Sequence, residues 1–269
     1  MLPLSRRLFV WTSAALLLAC AGAPAPVAPE VRNALAPTGT LRIAVYPGSP
    51  TSLVRGPGPQ EMRGLTVEVG RELARRLGVQ SEVMVFERVP QIVDALKAGQ
   101  ADFTITNASP ARAKDIDFTA AVVQLESGYL VPANSSIGTL ADIDRAGVRV
   151  GVTQGSSSQG VLMRELQKAS VVAAPSVTAA AEMLRKGELD AFATNKGILF
   201  DMSDRLPGAR VLGGRFSLEQ LAVGVPKGRS QGAAAAYLQA FVADADTQAL
   251  VQQAALRAGL RGLAPALAR

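Results

Sequence analysis

Residues 101–118, Ala-Asp-Phe-Thr-Ile-Thr-Asn-Ala-Ser-Pro-Ala-Arg-Ala-Lys-Asp-Ile-Asp-Phe, combine the groups needed to hold an anion. The apolar run Phe103 to Ile105 has the length of a buried strand and ends at Thr106-Asn107, after which Ser109-Pro110 predicts a helix start. With Ser109 as N-cap and Pro110 as first helical residue, the first turn presents unpaired N–H groups and the positive end of a dipole, and Arg112 stands beside them. A carboxylate is the simplest ligand for that combination.

A second stretch has the same character. Val148 to Val152 reads as a strand that runs into Gln154-Gly155-Ser156-Ser157-Ser158 and then a helix bearing Val161, Leu162 and Leu166. Small capping residues again leave N–H groups free at a helix start. A third strand, Asp190 to Ala193, ends at Thr194-Asn195-Lys196. Two α/β units whose helix N-termini face each other predict a ligand cleft between lobes.

Elements must carry these stretches, and the chain supplies them in order. The strand Leu41 to Val45 is followed by turn-rich segments at Pro47-Gly48-Ser49-Pro50 and Gly56-Pro57-Gly58-Pro59. A helix follows with Val69, Leu73 and Leu77 on one face and Gly78 at its end. Ser81 to Phe86 is a strand, and Val89, Ile92, Val93 and Leu96 have helical spacing up to Gly99. Strand, helix, strand, helix, strand predicts a parallel, doubly wound sheet with ligands at the carboxyl ends of its strands. Beyond the second unit, Ser176 caps a helix carrying Met183 and Leu184, Leu221 to Val225 is the last strand, and helical stretches at about 231–243 and 247–258 finish the chain.

Composition removes several classes of function. The 269 residues are 48% hydrophobic, enough for one large core or two medium ones. There is no His and a single Cys, which excludes zinc-finger spacing, His-dependent triads and an internal disulfide. No metal or cofactor is expected. The net charge of +6 is scattered, without basic runs or stacking aromatics, so nucleic acid is not an expected partner. An enzymatic role needs a general acid or base in the cleft; Glu68 and Glu87 are the nominal candidates, both expected to be solvated, and no enzyme is expected. A cleft carboxyl held well above its ordinary pKa would reopen that possibility.

Residues 1–20 read as an export leader: Arg6 and Arg7, then an uncharged apolar stretch from Leu8 to Ala19 too short for a membrane span. Ser5 to Val10 resembles a twin-arginine signal, and Leu17-Leu18-Ala19-Cys20 resembles a bacterial lipoprotein cleavage box in which Cys20 becomes the lipid-bearing terminus. Residues 21–38, rich in Ala and Pro, are expected to form a semi-extended tether without a core, placing the domain at the periplasmic or outer face of a membrane.

Taken in order, the motifs resemble the family 3 extracellular solute-binding proteins, the polar-amino-acid receptors of ABC importers, over about residues 39–260. The residues that carry the resemblance are Gly39 to Ile43, Gly64 to Val69, Ala95 to Asp102, Ser109 to Phe118, Gly151 to Ser157 and Gly187 to Ala191. The resemblance implies a two-lobe, hinged periplasmic-binding-protein type II fold with two crossovers: lobe 1 at 39–127 plus 224–269, and lobe 2 at 128–223. It implies a monomer that captures an amino acid or similar small carboxylate and passes it to an ABC permease. Arg112 would clamp the carboxylate, with N–H groups near Ile105 and Asn107 and the side chains of Thr104 and Asn107 assisting. Ser156 and Ser157 would contact ligand from the opposite lobe. Where amino-acid receptors carry an Asp for the α-ammonium, this chain has Asn195; of the usual aromatic sandwich only Tyr46 remains, the matching positions lying near Ser49 and at Val89. Arg88 and Lys196 would flank the cleft, and with Asn195 they suggest an anion without an amine, such as an organic acid. The alternatives are a free-standing ligand sensor and a lyase or dehydratase on the same fold.

The leader carries its own test. Cys20→Ser should move the protein from the membrane to the soluble fraction on cell fractionation; persistent membrane association would mean that another anchor holds it.

Overall fold

The computed structural model describes residues 27–264 apart from 57, 59 and 60. The export leader, Cys20 and the first part of the Ala/Pro stretch lie outside the described residues. The first half comprises α1 (Pro29–Leu35), β1 (Thr40–Val45), β2 (Val54–Arg55), β3 (Met62–Arg63), α2 (Leu65–Leu77), β4 (Gln80–Val85), α3 (Val89–Lys97), β5 (Thr104–Asn107) and the long β6 (Ile116–Val131). There follow β7 (Arg149–Thr153), α4 (Ser157–Glu165), β8 (Ser170–Ala174), α5 (Val177–Arg185), β9 (Ala191–Asn195), α6 (Lys196–Arg205) and β10 (Arg210–Val211). The chain then returns through β11 (Ser217–Pro226) to α7 (Gly232–Ala243) and α8 (Ala245–Arg257).

In the first half β1 pairs in parallel with β4, and Ile43 bridges in parallel to Phe103 just before β5. The sheet is not parallel throughout, as the strand order alone predicts, because β11 inserts antiparallel between β5 and β6. In the second half β7 lies between β8 and β9, parallel to both, and β9 pairs antiparallel with the far end of β6. Thus β6 and β11 pass between the halves, paired from Ile116–Pro226 to Ser127–Ser217, with two register shifts around Ala222. Such bulges let a ladder bend and twist locally.

Each half buries apolar side chains on both faces of its sheet. In the first, Leu65, Val69, Leu73 and Leu77 of α2 recur every four residues and lie in one core with β1, β11, α1, α7 and α8, while Ile92 and Leu96 of α3 fill a core on the other face. Burial of each such Leu contributes about 1.5–3 kcal/mol. In the second half the alternation of β6 and β9 sends Tyr129, Val131, Ala191 and Ala193 to one face and Leu130 and Phe192 to the other.

Two local expectations change. Residues 21–38 do not remain a tether throughout: Pro29–Leu35 forms α1, whose Val31 and Leu35 are buried in the first core. The Ala/Pro composition hides an apolar pair four residues apart, which a helix places on one face. The helix expected after Ser109 is only a 3₁₀ turn, Arg112–Lys114, because β6 begins at Ile116. Ser109 still closes it, its carbonyl accepting from Arg112 N at 3.0 Å.

The two halves close their sheets with the same device. Asp102 accepts Arg42 N (3.0 Å), Nε (2.7 Å) and Nη2 (2.7 Å), while Arg42 Nη2 also reaches Gly99 O. Asp190 accepts Arg149 N (2.8 Å), Nε (2.9 Å) and Nη2 (2.9 Å), while Arg149 Nη2 reaches Gly187 O. The environments differ. The Asp102 side chain is fully buried and also meets Arg229 at 2.6 Å, whereas that of Asp190 is 35% exposed. Removing one partner of a buried pair costs about 3–5 kcal/mol, and of an exposed one about 1 kcal/mol or less. Urea unfolding should therefore show Asp102→Ala destabilised well beyond Asp190→Ala; equal losses would mean that burial does not set the strength of these pairs.

Candidate functional site

Two small adjoining cavities of about 40 Å³ each lie between the halves and share Tyr46, Val89, Ser156 and Thr194 in their walls. The inner one is where the anion-binding groups converge. The chain leaves β5 at Asn107, makes the tight turn capped by Ser109, and so brings Arg112 back over the end of its own strand. Arg112 Nη1 donates to Thr106 Oγ1 (2.8 Å) and Asn107 O (3.3 Å), which fixes the guanidinium plane and leaves Nε and Nη2 without a described protein partner. The residue is 9% exposed, and burial pulls its pKa below the ordinary value against the opposing charge of Glu219.

From the second half comes the start of α4. Ser156 is its N-cap, the hydroxyl accepting from Gln159 N at 3.1 Å, and both Ser156 and Ser157 line the inner cavity. The first N–H groups of a helix have no intrahelical acceptor, so this end presents donors to the cavity. Asn107 spans the two halves: its Nδ2 donates to Ser157 Oγ (3.0 Å) and its Oδ1 accepts from Gln220 N (3.0 Å).

Of the sequence-predicted residues, Tyr46, Ile105, Asn107, Arg112, Ser156, Ser157 and Asn195 all border the inner cavity. Thr104 does not; its hydroxyl donates to Ala44 O at 3.0 Å between strands, and Thr106, two residues on, borders the cavity instead. Lys196 is also turned away, its Nζ 2.6 Å from Glu126, which Arg215 holds from the other side at 2.9 Å. Lys196, first among the causes, then Arg215, keep the Glu126 carboxyl below its ordinary pKa, burial opposing them. Arg88 borders the outer cavity only. Glu68 pairs with Arg257 beside α2, outside both cavities, and Glu87 is exposed at the edge of the outer one. Ser49 is buried, its hydroxyl 2.8 Å from that of Thr51, and Tyr46 is held near that pair, its backbone N–H donating to Ser52 Oγ at 2.8 Å. Burial raises the Tyr46 pKa, so its phenol stays protonated.

Asn195 serves a structural purpose as well as facing the cavity. Its Oδ1 accepts from Ile198 N at 3.2 Å and caps α6, a helix that the sequence pattern did not suggest. Because a backbone N–H donates to that atom it must be the oxygen, and Nδ2 is a donor. An ammonium group gains nothing from a donor.

Sequence reasoning missed one wall residue with a charge. Glu219 is 8% exposed and borders the inner cavity with Leu221, the alternation of β11 putting both on one face. Burial raises its pKa; the charge of Arg112 and a hydrogen bond from the Asn195 amide oppose the rise. The available signal was a charged residue in the alternating stretch Ser217 to Val225, whose strand begins four residues earlier than the purely apolar run Leu221 to Val225.

Comparison with known proteins identifies the fold and the family. The profile of the bacterial extracellular solute-binding proteins, family 3, matches residues 41–254. The ABC transporter glutamine-binding protein GlnH of Bacillus subtilis (strain 168) is 26% identical over 184 residues, spanning 66% of this chain and 66% of that protein. Among solved structures, the solute receptor for L-cysteine of Neisseria gonorrhoeae superposes with a TM-score of 0.74 at 20% identity, covering 87% of this chain and 99% of its own. The ancestral amino acid-binding protein AncCDT-1, a precursor of cyclohexadienyl dehydratase, gives 0.71 at 20% identity, covering 84% and 98%. These likenesses establish the two-lobe type II binding-protein fold. With its profile match, shared architecture and cleft, the chain belongs to the bacterial extracellular solute-binding proteins, family 3.

Proposed function

We propose that this protein is the substrate-binding lipoprotein of an ABC importer and that it captures an amino acid between its lobes. The observation that carries the reading is the buried Arg112, with free guanidinium donors, facing the N-terminus of α4 across the inner cavity. A ligand carboxylate placed there meets a charged fork from one lobe and helix N–H groups from the other. The outer cavity, with Tyr46, Arg88, Val177 and Ile198 in its wall, takes the ligand side chain. The small volume calls for a small solute. Lobe 1 is 39–127 plus 224–269 with α1 packed on it, and lobe 2 is 128–223; that Ser127 pairs both with Ser217 and with Asn195 supports the first boundary. Residues 21–28 tether lobe 1 to lipidated Cys20 on the outer or periplasmic side of a membrane, and the monomer delivers solute to its permease.

Capture follows from contacts that exist only when the lobes meet. Such contacts shift the open–closed equilibrium by the ligand's differential affinity for the closed state. The buried carboxyl of Glu219 favours one second reading, a lyase that uses it as general acid, and the likeness to a dehydratase precursor agrees with it.

A thermal-shift screen of the exported domain against amino acids should give ligand-dependent stabilisation, since binding to the folded state alone raises the melting temperature. Arg112→Ala should lower affinity for a hit by at least about 100-fold, the loss of a bidentate charged pair in a buried site, while the free protein still folds. Wild-type affinity in that variant would overturn the carboxylate clamp. Recovery of the ligand unchanged after prolonged incubation supports transport; loss of water or ammonia from it supports the lyase.

Closure has a separate test at Gly155. This residue lies at φ +71° where β7 turns into α4, and a Cβ there would overlap Pro90 Cγ at the start of α3 in the other lobe. Gly155→Ala should weaken binding of any ligand by about 10-fold or more, by obstructing the closed state and adding about 1 kcal/mol of backbone strain. Unchanged affinity would mean that the lobes need not approach this closely.

A further inference from the structure

The inner cavity is bordered by one cationic and one anionic side chain, Arg112 on the turn after β5 and Glu219 on β11. Neither is ion-paired with any described residue, although they are 9% and 8% exposed. Two opposite charges buried in one cavity and not joined to each other are costly unless something between them completes the circuit. Asn195 supplies no counter-charge for an ammonium: it is neutral, its oxygen already accepts from Ile198 N, and its amide nitrogen presents donors. Lys196 is held on Glu126 and does not border the cavity.

We infer that Glu219 is the counter-charge for the ligand's α-ammonium, so that the site selects zwitterionic amino acids over amine-free acids. The inference rests on the carboxylate clamp at Arg112. With the α-carboxylate on Arg112, the α-amine one carbon away faces Glu219, and its protons go to an acceptor-only carboxylate. This reverses the specificity suggested by Asn195 alone: the anion missing from the end of β9 is supplied by the neighbouring crossing strand. Burial disfavours the ionised form of Glu219 in the free protein, Arg112 and Asn195 oppose that, and a ligand ammonium would add to their effect. Because β11 pairs with β5 and β6, Glu219 is fixed where the lobes join. Ammonium contact there stabilises the strand on which closure turns.

The groups that face Glu219 are Arg112, Tyr46 and the Asn195 amide. Burial in the free protein raises its pKa above the unfolded value, so the ionised form detracts from stability, and the deficit appears as pH rises through the folded value. Free Glu219→Gln should therefore melt no lower than wild type at neutral pH, which separates any binding defect from misfolding.

Calorimetric titration of wild type, Glu219→Gln, Glu219→Asp and Arg112→Ala tests the assignment. The ligands are L-glutamine, L-cysteine and their counterparts lacking the amine, 4-carbamoylbutyrate and 3-mercaptopropionate. Wild type should prefer an amino acid to its counterpart. Glu219→Gln should lower affinity for the amino acid about 10- to 100-fold, as for a charged hydrogen bond, and leave the amine-free acid unchanged or tighter. Glu219→Asp, which keeps the charge, should recover part of the loss. Acidification should weaken amino-acid binding by wild type, by protonating Glu219, more than by Glu219→Gln. Equal losses for both ligand classes, or a wild type that prefers the amine-free acids, would overturn the assignment. Unchanged affinity in Glu219→Gln with binding lost in Arg112→Ala would overturn it while leaving the carboxylate clamp in place; unchanged affinity in both variants would overturn both.

Discussion

The ladder between β6 and β11 is the constraint on which the rest of the molecule depends, because it belongs to both halves at once. Its near end is part of the first sheet through β5, and its far end part of the second through β9 and β10. An antiparallel pair of this length resists stretching and shear but bends where its register is broken, and the register shifts lie around Ala222. Bending there moves one set of cores against the other without altering the packing within either, which is the physical requirement of a hinge. The C-terminal segment reinforces the region: Glu126 N donates to Gly262 O, Ala264 N donates to Gln124 O, and Leu125 bridges to Leu263.

Polar groups near the hinge fall into two sets with opposite accounting. Glu126, between Lys196 and Arg215, and Asp102, between Arg42 and Arg229, are ion-paired within the protein and hold elements in place. Among the described residues Arg112 and Glu219 have neutral hydrogen-bond neighbours but no ionic partner, and they border a cavity. Charges satisfied internally specify the fold, whereas charges left unsatisfied in a small cavity specify what enters it. The same contrast applies to the hydroxyls: Thr104 is bound to the Ala44 carbonyl, while Ser156 and Ser157 stand at a helix start with neighbouring N–H groups available.

Local pattern was a good guide wherever an element is amphipathic and capped by its own sequence. Val69, Leu73 and Leu77 mark the buried face of α2, Ser156 and Ser176 cap α4 and α5, and the strands β1, β4, β7 and β9 fall within a residue or two of their expected places. It failed where tertiary pairing overrides pattern. The 3₁₀ turn after Ser109 is cut short by the demands of β6, α1 is held by the core beneath it, and α6 begins without a break from β9 because Asn195 changes from strand residue to N-cap. Glu219 escaped attention because a lone acid before an apolar strand gives no indication of which face it occupies until the register of β11 is known.

From the sequence by itself followed the α/β class, the sequential supersecondary units, the family likeness and the choice of Arg112 as a residue of the cleft. Each depends on periodicity, capping or motif order within a few residues, information that is local to the chain. Only the tertiary structure decided that Thr106 and not Thr104 reaches the cavity, that Lys196 is held on Glu126, and that a carboxylate stands opposite Arg112. Those outcomes depend on register and on which side chains meet across more than a hundred residues, as Asn107 meets Gln220 and Arg112 approaches Glu219. A charge is recognisable in a sequence, but whether it is neutralised is a property of its neighbours in space.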